Sequence, residues 1–136
     1  LLSRLAPAAL QPSDPANTMP LVVKLLYGGI TEELLMRWGV MSLLLWLGWR
    51  LLRRGHGQPR NGLVATAVLF SAVLFAVGHL PAAQAMAGVL TMPVVAFVLV
   101  GNTVFGLVAG GLFARHGLEA AIIAHVLAHL LASPLL

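Results

Sequence analysis

The stretch "GGITEELLMRWGV", residues 28–40, places charge inside one of the most apolar parts of the chain. It holds two adjacent acids, Glu32 and Glu33, and one base, Arg37. Because the whole chain has only four acidic residues, half of its negative charge lies at this one point. Ionisable side chains are unfavourable in apolar helices, and by default they indicate a functional site. The stretch therefore predicts an apolar helix that carries such a site.

The composition is that of a membrane protein. Of 136 residues, 60% are hydrophobic and 9% are charged, and the mean hydropathy is +0.96. A soluble domain carries about 25% charged residues, so this chain lacks the material for a surface that faces water. There are no cysteines, which excludes disulfides, thiolate metal sites and a cysteine nucleophile.

The positive charge is concentrated in one short loop. Arg50, Arg53, Arg54 and Arg60 lie in "RLLRRGHGQPRNG", and the formal net charge of the chain is +4. The segment has neither interleaved aromatic residues nor a long basic run, so we expect no nucleic-acid partner. By the positive-inside rule the loop is cytoplasmic, and Arg115 then lies on the same side. We expect an integral, multi-pass protein of the lipid bilayer, in a prokaryotic inner membrane.

Four apolar segments follow a polar beginning. Three of them are close to the roughly 20 residues that a spanning helix needs, and the first is long for one span, so that its start is expected at the membrane interface. Irregular backbone is not tolerated against lipid. The sequence therefore predicts an all-α, polytopic helical bundle with about four transmembrane helices. The predicted segments are residues 21–49, 63–80, 93–113 and 118–136.

The connections are predicted to be short. Pro81 is expected to close the second helix, and "PAAQAMAG", residues 81–88, to connect it to the third. "ARHGLE", residues 114–119, is predicted to be a tight turn. We expect residues 1–19 to be a loop or the remnant of an upstream segment, and residues 20–136 to form the functional core.

Several polar side chains remain at membrane depth once the loops are set aside. They are Glu32, Glu33, Arg37, His79, Asn102, His125 and His129. At a rise of about 1.5 Å per residue, Glu32 and His79 both lie about 26–27 Å from the basic loop, and His129 lies about 21 Å from the same face. Separate helices are thus predicted to bring Glu and His side chains to one layer, in the half of the membrane away from the basic loop.

The spacing within the first helix predicts different roles for the two glutamates. Glu33 and Arg37 are four residues apart with the acid first, the better order for an ion pair. Glu32 points about 100° away from Glu33 around the helix. We therefore expect Arg37 to neutralise Glu33, and Glu32 to face the interior of the bundle.

The other helices carry related pairs. Phe75 and His79 are four residues apart on one face, and so are His125 and His129 in "HVLAH". Asn102 is predicted to hydrogen-bond between helices. A single histidine in a membrane helix is as often structural as catalytic, but one glutamate and three histidines at a similar depth indicate a functional site.

These residues form three ordered motifs. They are Glu32-Glu33-x-x-x-Arg37, Phe75-x-x-x-His79 and His125-x-x-x-His129. Over about residues 25–133 the chain resembles the CAAX-protease and bacteriocin-processing (CPBP, or Abi) family of intramembrane proteases. The motifs of that family are EExxxR, FxxxH and HxxxN or HxxxD, in this order and on successive core helices.

The resemblance implies an endopeptidase of the glutamic type. Glu32 would be the catalytic glutamate, and His79 its partner in activating water. His125 would help to stabilise the oxyanion, while Glu33 and Arg37 would orient the first helix. A carboxylate in this setting suits a general base, and each oxyanion donor is worth roughly 10²–10³ in rate.

One motif position departs from the family and raises the question of a metal. The family has Asn or Asp where this chain has His129, and a neutral histidine can still donate one hydrogen bond. Glu32, His79, His125 and His129 could also form a set of zinc ligands. The metalloprotease motif H-E-x-x-H is absent, because Val126 occupies the position of its Glu. Metal-free catalysis without a cofactor is the favoured reading, and zinc is the alternative.

The substrate is predicted only as a class. The resemblance implies a membrane-anchored or lipidated peptide or protein, cut near its C-terminus as in CAAX processing or in the processing of sorting signals. A site in the outer half of the membrane fits removal of a C-terminal anchor from an exported protein. The alternatives outside enzymology are a proton-coupled transporter and a non-catalytic bacteriocin-immunity or scaffold protein. The sequence implies no particular oligomeric state.

Overall fold

The protein is helical throughout the part that the structure describes. This structure, a computed structural model, describes residues 6–11, 20–54 and 56–132, with the backbone alone for Arg53. Within these residues there is no strand, which confirms the all-α prediction. A short 3-10 helix, Ala8–Leu10, is followed by α1 (residues 21–53), α2 (Asn61–Gly78), α3 (Leu80–Ala87), α4 (Met92–His116) and α5 (Leu118–Ala132).

Two helical stretches in the described residues are long and apolar enough to cross a membrane. One is Asn61–Ala87, which joins α2 and α3, and the other is α4; their hydropathies are 2.2 and 2.1. Helix α5 is apolar but shorter. The structure thus supports two of the four predicted spans, and the count of four remains a prediction.

The polarity of this fold is inverted relative to that of a soluble domain. Large apolar side chains such as Trp38, Leu52 and Met92 are exposed, whereas Glu33 and Arg37 are fully buried. In water this arrangement would be unfavourable, because exposed apolar patches of this kind promote association. In a bilayer the same exterior faces lipid, and the charges are paired inside.

Helix α1 is widened along the segment that carries the charged motif. It is wound as a π-helix over Lys24–Glu32 and Leu34–Met41 and returns to α-helix at Ser42–Arg53. π-helical winding is rare and often occurs at functional sites. The first half of α1 packs against α5, and its second half packs against α2. The motif is therefore held between the two helices that carry the histidines.

Helices α2 and α4 form the closest packed pair, because small residues face each other. Gly106 and Gly110 are four residues apart on α4, the small-xxx-small spacing of membrane helix interfaces. A Cβ atom at Gly106 would lie 2.8 Å from the Cα atom of Ala72 on α2. Ala72 and its neighbour Ala76, one turn on, are fully buried. This contact fixes α2, and with it His79 at its end.

The predicted connection after the second helix was wrong, because residues 80–87 form helix α3. Pro81 lies in the first turn of this helix, where its missing N–H would have had no helical partner. Proline therefore begins α3 instead of closing α2. The break is the single residue His79, whose N–H still bonds to the carbonyl of Ala76.

The remaining connections agree with the prediction in outline. The tight turn predicted for residues 114–119 is one residue, Gly117, because α4 continues through His116. Gly117 has φ +89°, a conformation that favours glycine. Residues 133–136, the predicted end of the fourth segment, lie outside the described residues, and so do residues 1–5 and 12–19 of the predicted loop.

Candidate active site

The predicted ion pair is present and fully enclosed. Arg37 Nε donates to Glu33 Oε2 at 2.9 Å, and neither side chain has any exposed surface. Arg37 Nη1 donates to Ser71 Oγ at 3.0 Å, and Ser71 Oγ in turn donates to the carbonyl of Met36 at 3.3 Å. The guanidinium also lies over the ring of Phe75, 5.2 Å from its centroid. These contacts join α1 rigidly to α2.

Glu32 faces two histidines and is accessible. Its Oε2 lies 3.7 Å from His79 Nε2 and 4.0 Å from His125 Nε2. The Glu32 side chain is 21% exposed and that of His79 is 31% exposed, whereas Glu33 is at 0%. Of the two adjacent glutamates, Glu32 is therefore the one that a substrate can reach. The structure thus brings together side chains from α1, α5 and the α2–α3 junction.

His79 is oriented by the helix that ends beside it. Its Nδ1 lies 2.8 Å from the carbonyl oxygen of Phe75. Because a carbonyl can only accept, Nδ1 carries the proton and donates. The Phe75 ring packs against the imidazole with centroids 4.4 Å apart. This leaves Nε2 as the nitrogen that faces Glu32, which explains the i, i+4 spacing of the second motif.

His125 is held by a contact that the sequence reading missed. Its Nδ1 donates to Glu33 Oε1 at 2.8 Å, so that Glu33 binds Arg37 through one oxygen and His125 through the other. The ring also packs against Phe105 of α4, with centroids 4.5 Å apart. As at His79, Nε2 is left to face Glu32.

His129 stacks on His125 and fits against a glycine of α1. The two rings have centroids 4.8 Å apart and are inclined by 18°. His129 Nε2 is buried and occupies the space that a Cβ atom at Gly28 would need. In the part of the chain that the structure describes, this nitrogen has no hydrogen-bond partner. His129 thus packs on His125, which in turn faces Glu32.

The predicted interhelical role of Asn102 was wrong. Its Nδ2 donates to the carbonyl of Val98 at 2.8 Å, one turn earlier on the same helix. This bond satisfies the amide donor locally, as short polar side chains in helices often do. Asn102 therefore stabilises α4 and is not part of the group around Glu32.

Three residues of the site were assigned no role from the sequence. Ser71 lies one turn before Phe75 on the same face of α2, so its spacing could have identified it as a partner of Arg37. Gly28 is one of two adjacent glycines in an apolar helix. Such a pair often marks a point at which another part of the protein packs closely against the helix backbone. Phe105 carries no such signal, because an aromatic residue on an apolar helix is usually packing alone.

The group can hold a water molecule between the carboxylate and an imidazole. If neutral, His79 and His125 each present an unprotonated Nε2 to Glu32, and three acceptor atoms then converge on one volume. Separations of 3.7–4.0 Å exceed direct hydrogen-bond distance, and widening them to about 4.4 Å admits a bridging water that donates to both sides. Such a water is polarised for attack on a carbonyl carbon.

The same atoms do not form a metal site as they stand. Tetrahedral zinc with ligand distances of about 2.0–2.1 Å places its donor atoms roughly 3.4 Å apart, closer than those around Glu32. Across residues 6–11, 20–54 and 56–132, no three His, Cys, Asp or Glu side chains are spaced to hold a metal ion. At these separations the donor atoms would have to move closer together to bind zinc.

Comparison with known proteins connects this site to a protease family. No curated protein and no solved structure matches the chain significantly. The residues around Glu32 lie in α1, α5 and the α2–α3 junction, all within residues 14–131. These residues match the family model described as type II CAAX prenyl endopeptidase Rce1-like, and because the match covers most of the chain, the protein belongs to this family of intramembrane endopeptidases.

Proposed function

We propose that the protein hydrolyses a peptide bond near the C-terminus of a membrane-anchored, lipidated protein by a metal-free, glutamate-based mechanism. The family supplies the general activity, that of a CAAX-type intramembrane endopeptidase. The contact of Glu32 Oε2 with His79 Nε2 at 3.7 Å is the observation that carries the mechanism. Glu32 takes a proton from the water between them, and the water oxygen attacks the scissile carbonyl carbon.

The surroundings of Glu32 support this role over a structural one. A structural ion pair in the membrane is shielded from solvent and held at direct contact distance, as Glu33 and Arg37 are at 2.9 Å. Glu32 instead is partly exposed, and the two imidazole nitrogens that face its Oε2, at 3.7 and 4.0 Å, lie beyond direct hydrogen-bond distance. The exposed part of its side chain, 21%, leaves Glu32 accessible to a peptide.

We propose that His129 donates a hydrogen bond to the oxyanion. Its Nε2 is packed against Gly28, so Nδ1 is the nitrogen left for such a bond. The family has Asn or Asp at this motif position, and an Asn side chain likewise donates one hydrogen bond from its amide. One such donor contributes roughly 10²–10³ in rate.

The substrate class follows from the family and the apolar exterior. Proteins of this family act on prenylated proteins anchored in the membrane. A prenylated C-terminal peptide is held in the bilayer by its lipid, and removal of the residues after the lipidated cysteine occurs at the membrane interface. We propose that the inner membrane of a prokaryote is the location, with a multi-pass arrangement.

The mechanism is tested with one substitution at the site and a matched one away from it. We expect Glu32→Gln to lower kcat by about 10²–10⁴ on a farnesylated Cys-Val-Ile-Met peptide in proteoliposomes, because an amide cannot accept the proton from water. Glu119→Gln is the control, since Glu119 is an exposed acid at the start of α5. Unchanged hydrolysis by Glu32→Gln would refute the proposal and favour a non-catalytic scaffold role.

The zinc alternative is separated by metal content. Protein purified in chelator and shown to be metal-free by elemental analysis is expected to hydrolyse the same peptide at the full rate. Loss of activity in chelator, with recovery on adding one equivalent of Zn²⁺, would replace the metal-free mechanism with the zinc one.

A further inference from the structure

Glu33 and His125 form a carboxylate–imidazole pair directly behind the Glu32 site. The His125 Nδ1–H donates to Glu33 Oε1 at 2.8 Å, and both side chains are buried. The second oxygen of Glu33 is held by Arg37 at 2.9 Å, and Arg37 is held by Ser71 at 3.0 Å. The orientation of His125 is therefore set by three linked side chains from two other helices: Glu33 and Arg37 of α1, and Ser71 of α2.

This arrangement limits what His125 can do. With its proton on Nδ1, a neutral His125 has a lone pair on Nε2, the nitrogen 4.0 Å from Glu32. A lone pair cannot donate to an oxyanion, which is the role that the family resemblance implied. It can, however, take up a proton and release it again. A buried carboxylate on Nδ1 serves such a transfer, because it fixes the tautomer and stabilises the imidazolium that forms.

We infer that His125 is the proton carrier to the leaving amine and that Glu33 is its positioning residue. His79 is less suited to this role, since a neutral backbone carbonyl stands behind its ring where His125 has a carboxylate. The inference rests on the proposed function of Glu32. It gives the second glutamate of the motif a part in the reaction, beyond fixing α1.

The proton balance of the step is complete without another reactant. Glu32 removes one proton from water while the water oxygen bonds to the carbonyl carbon and the C=O π pair moves to its oxygen. That proton passes from Glu32 to His125 Nε2, directly on closure by about 1 Å or through one water. When the C=O bond re-forms, the C–N pair leaves with nitrogen, and the His125 Nε2–H protonates it. The products are an acid and an amine, and both side chains are restored.

The test compares two leaving groups. An amine cannot leave from the tetrahedral intermediate without a proton, whereas a thiolate can, because a thiol has a pKa of about 8.5. The probes are the farnesylated Cys-Val-Ile-Met peptide and its analogue with a thioester in place of the scissile amide. We expect His125→Asn to lower kcat on the peptide by about 10²–10⁴ and to leave the thioester rate almost unchanged. Persistent thioester hydrolysis also shows that the variant is folded.

A second variant tests the positioning role of Glu33. Replacing Glu33 alone would strand the buried charge of Arg37, so the neutral double variant Glu33→Gln/Arg37→Met is used. We expect the same selective loss on the peptide, with KM unchanged. Glu32→Gln must abolish hydrolysis of both probes, because water activation is common to them.

The outcomes are distinct. If Glu32→Gln spares both probes, the proposed function fails. If Glu32→Gln abolishes both while His125→Asn slows the peptide and the thioester equally, the function stands and the proton-carrier inference is overturned, since loss of an oxyanion donor affects both alike. Equal losses on both probes in the double variant, with His125→Asn selective, would restrict Glu33 to a structural role.

Discussion

Adjacent glutamates in α1 have opposite environments, and this difference defines their chemistry. Glu33 is fully buried between Arg37 and His125, while Glu32 is 21% exposed beside His79. Glu33 has no exposed surface and is out of reach of water, whereas the partly exposed Glu32 can take a proton from it. The pair thus divides reaction and positioning between neighbouring residues.

His129 occupies the motif position at which the family has Asn or Asp. We expect His129→Asn to retain most of the peptidase activity, because an amide preserves a hydrogen-bond donor. His129→Leu, which has no donor, should lower kcat by roughly 10²–10³. Steady-state kinetics on the farnesylated peptide measure both.

Thermal unfolding in detergent serves as the control for that comparison. Both variants replace the His129 ring, which packs against Gly28, with a smaller side chain. Both should therefore lose some thermal stability. Equal losses of activity in the Asn and Leu variants would assign His129 to packing alone.

The contact between α2 and α4 determines where His79 lies. Gly106→Ala is expected to destabilise the protein by about 1–3 kcal/mol, because the new methyl group would meet the Cα atom of Ala72 at 2.8 Å. Gly101→Ala on the same helix is the matched control, since a Cβ atom there meets nothing within 4 Å. Unfolding in detergent micelles, followed by circular dichroism, measures both; similar melting of the two variants would contradict the packing.

The helices were largely predictable, but not the break between α2 and α3. Apolar length and the intolerance of lipid for open backbone predict helices for residues 21–49 and 93–113, and the observed helices α1 and α4 extend slightly further. Pro81 is ambiguous by comparison, because proline can follow one helix or begin the next. In the structure the chain resumes as helix α3 after the break, and Ala83 of α3 packs with Val94 and Val98 of α4.

The contacts between residues of different helices were also predictable only in part. The rise per residue predicts one level for Glu32 and His79, and they lie 3.7 Å apart. The bond between Glu33 and His125 joins residues 92 positions apart in the chain. It depends on the rotation of α5 about its own axis, which no local spacing determines.

The orientation of the whole protein follows from its basic loop. We expect Gln58, in that loop, to lie in the cytoplasm and Val89, beyond α3, to lie outside. The chain has no cysteine, so Gln58→Cys and Val89→Cys each give a single labelling site. An impermeant maleimide should label Val89→Cys in intact cells and Gln58→Cys only after permeabilisation.

The reverse labelling pattern would invert the protein and place the active site in the cytoplasmic half. That orientation would suit a substrate prenylated in the cytosol. The predicted orientation instead requires the lipidated C-terminus to reach the outer half of the bilayer, as it would in a protein that has already been exported. Because both residues are exposed, poor labelling through burial is not expected.

The fit of His129 against Gly28 has a consequence for how the family diversifies. A histidine at this motif position leaves no room for a side chain at position 28, whereas the shorter Asn or Asp of other members would leave space there. The two positions should therefore covary across relatives: glycine with histidine, and alanine or serine tolerated only with the shorter residues. A change from Asn to His at the third motif is therefore expected to be accommodated most readily where position 28 is already glycine.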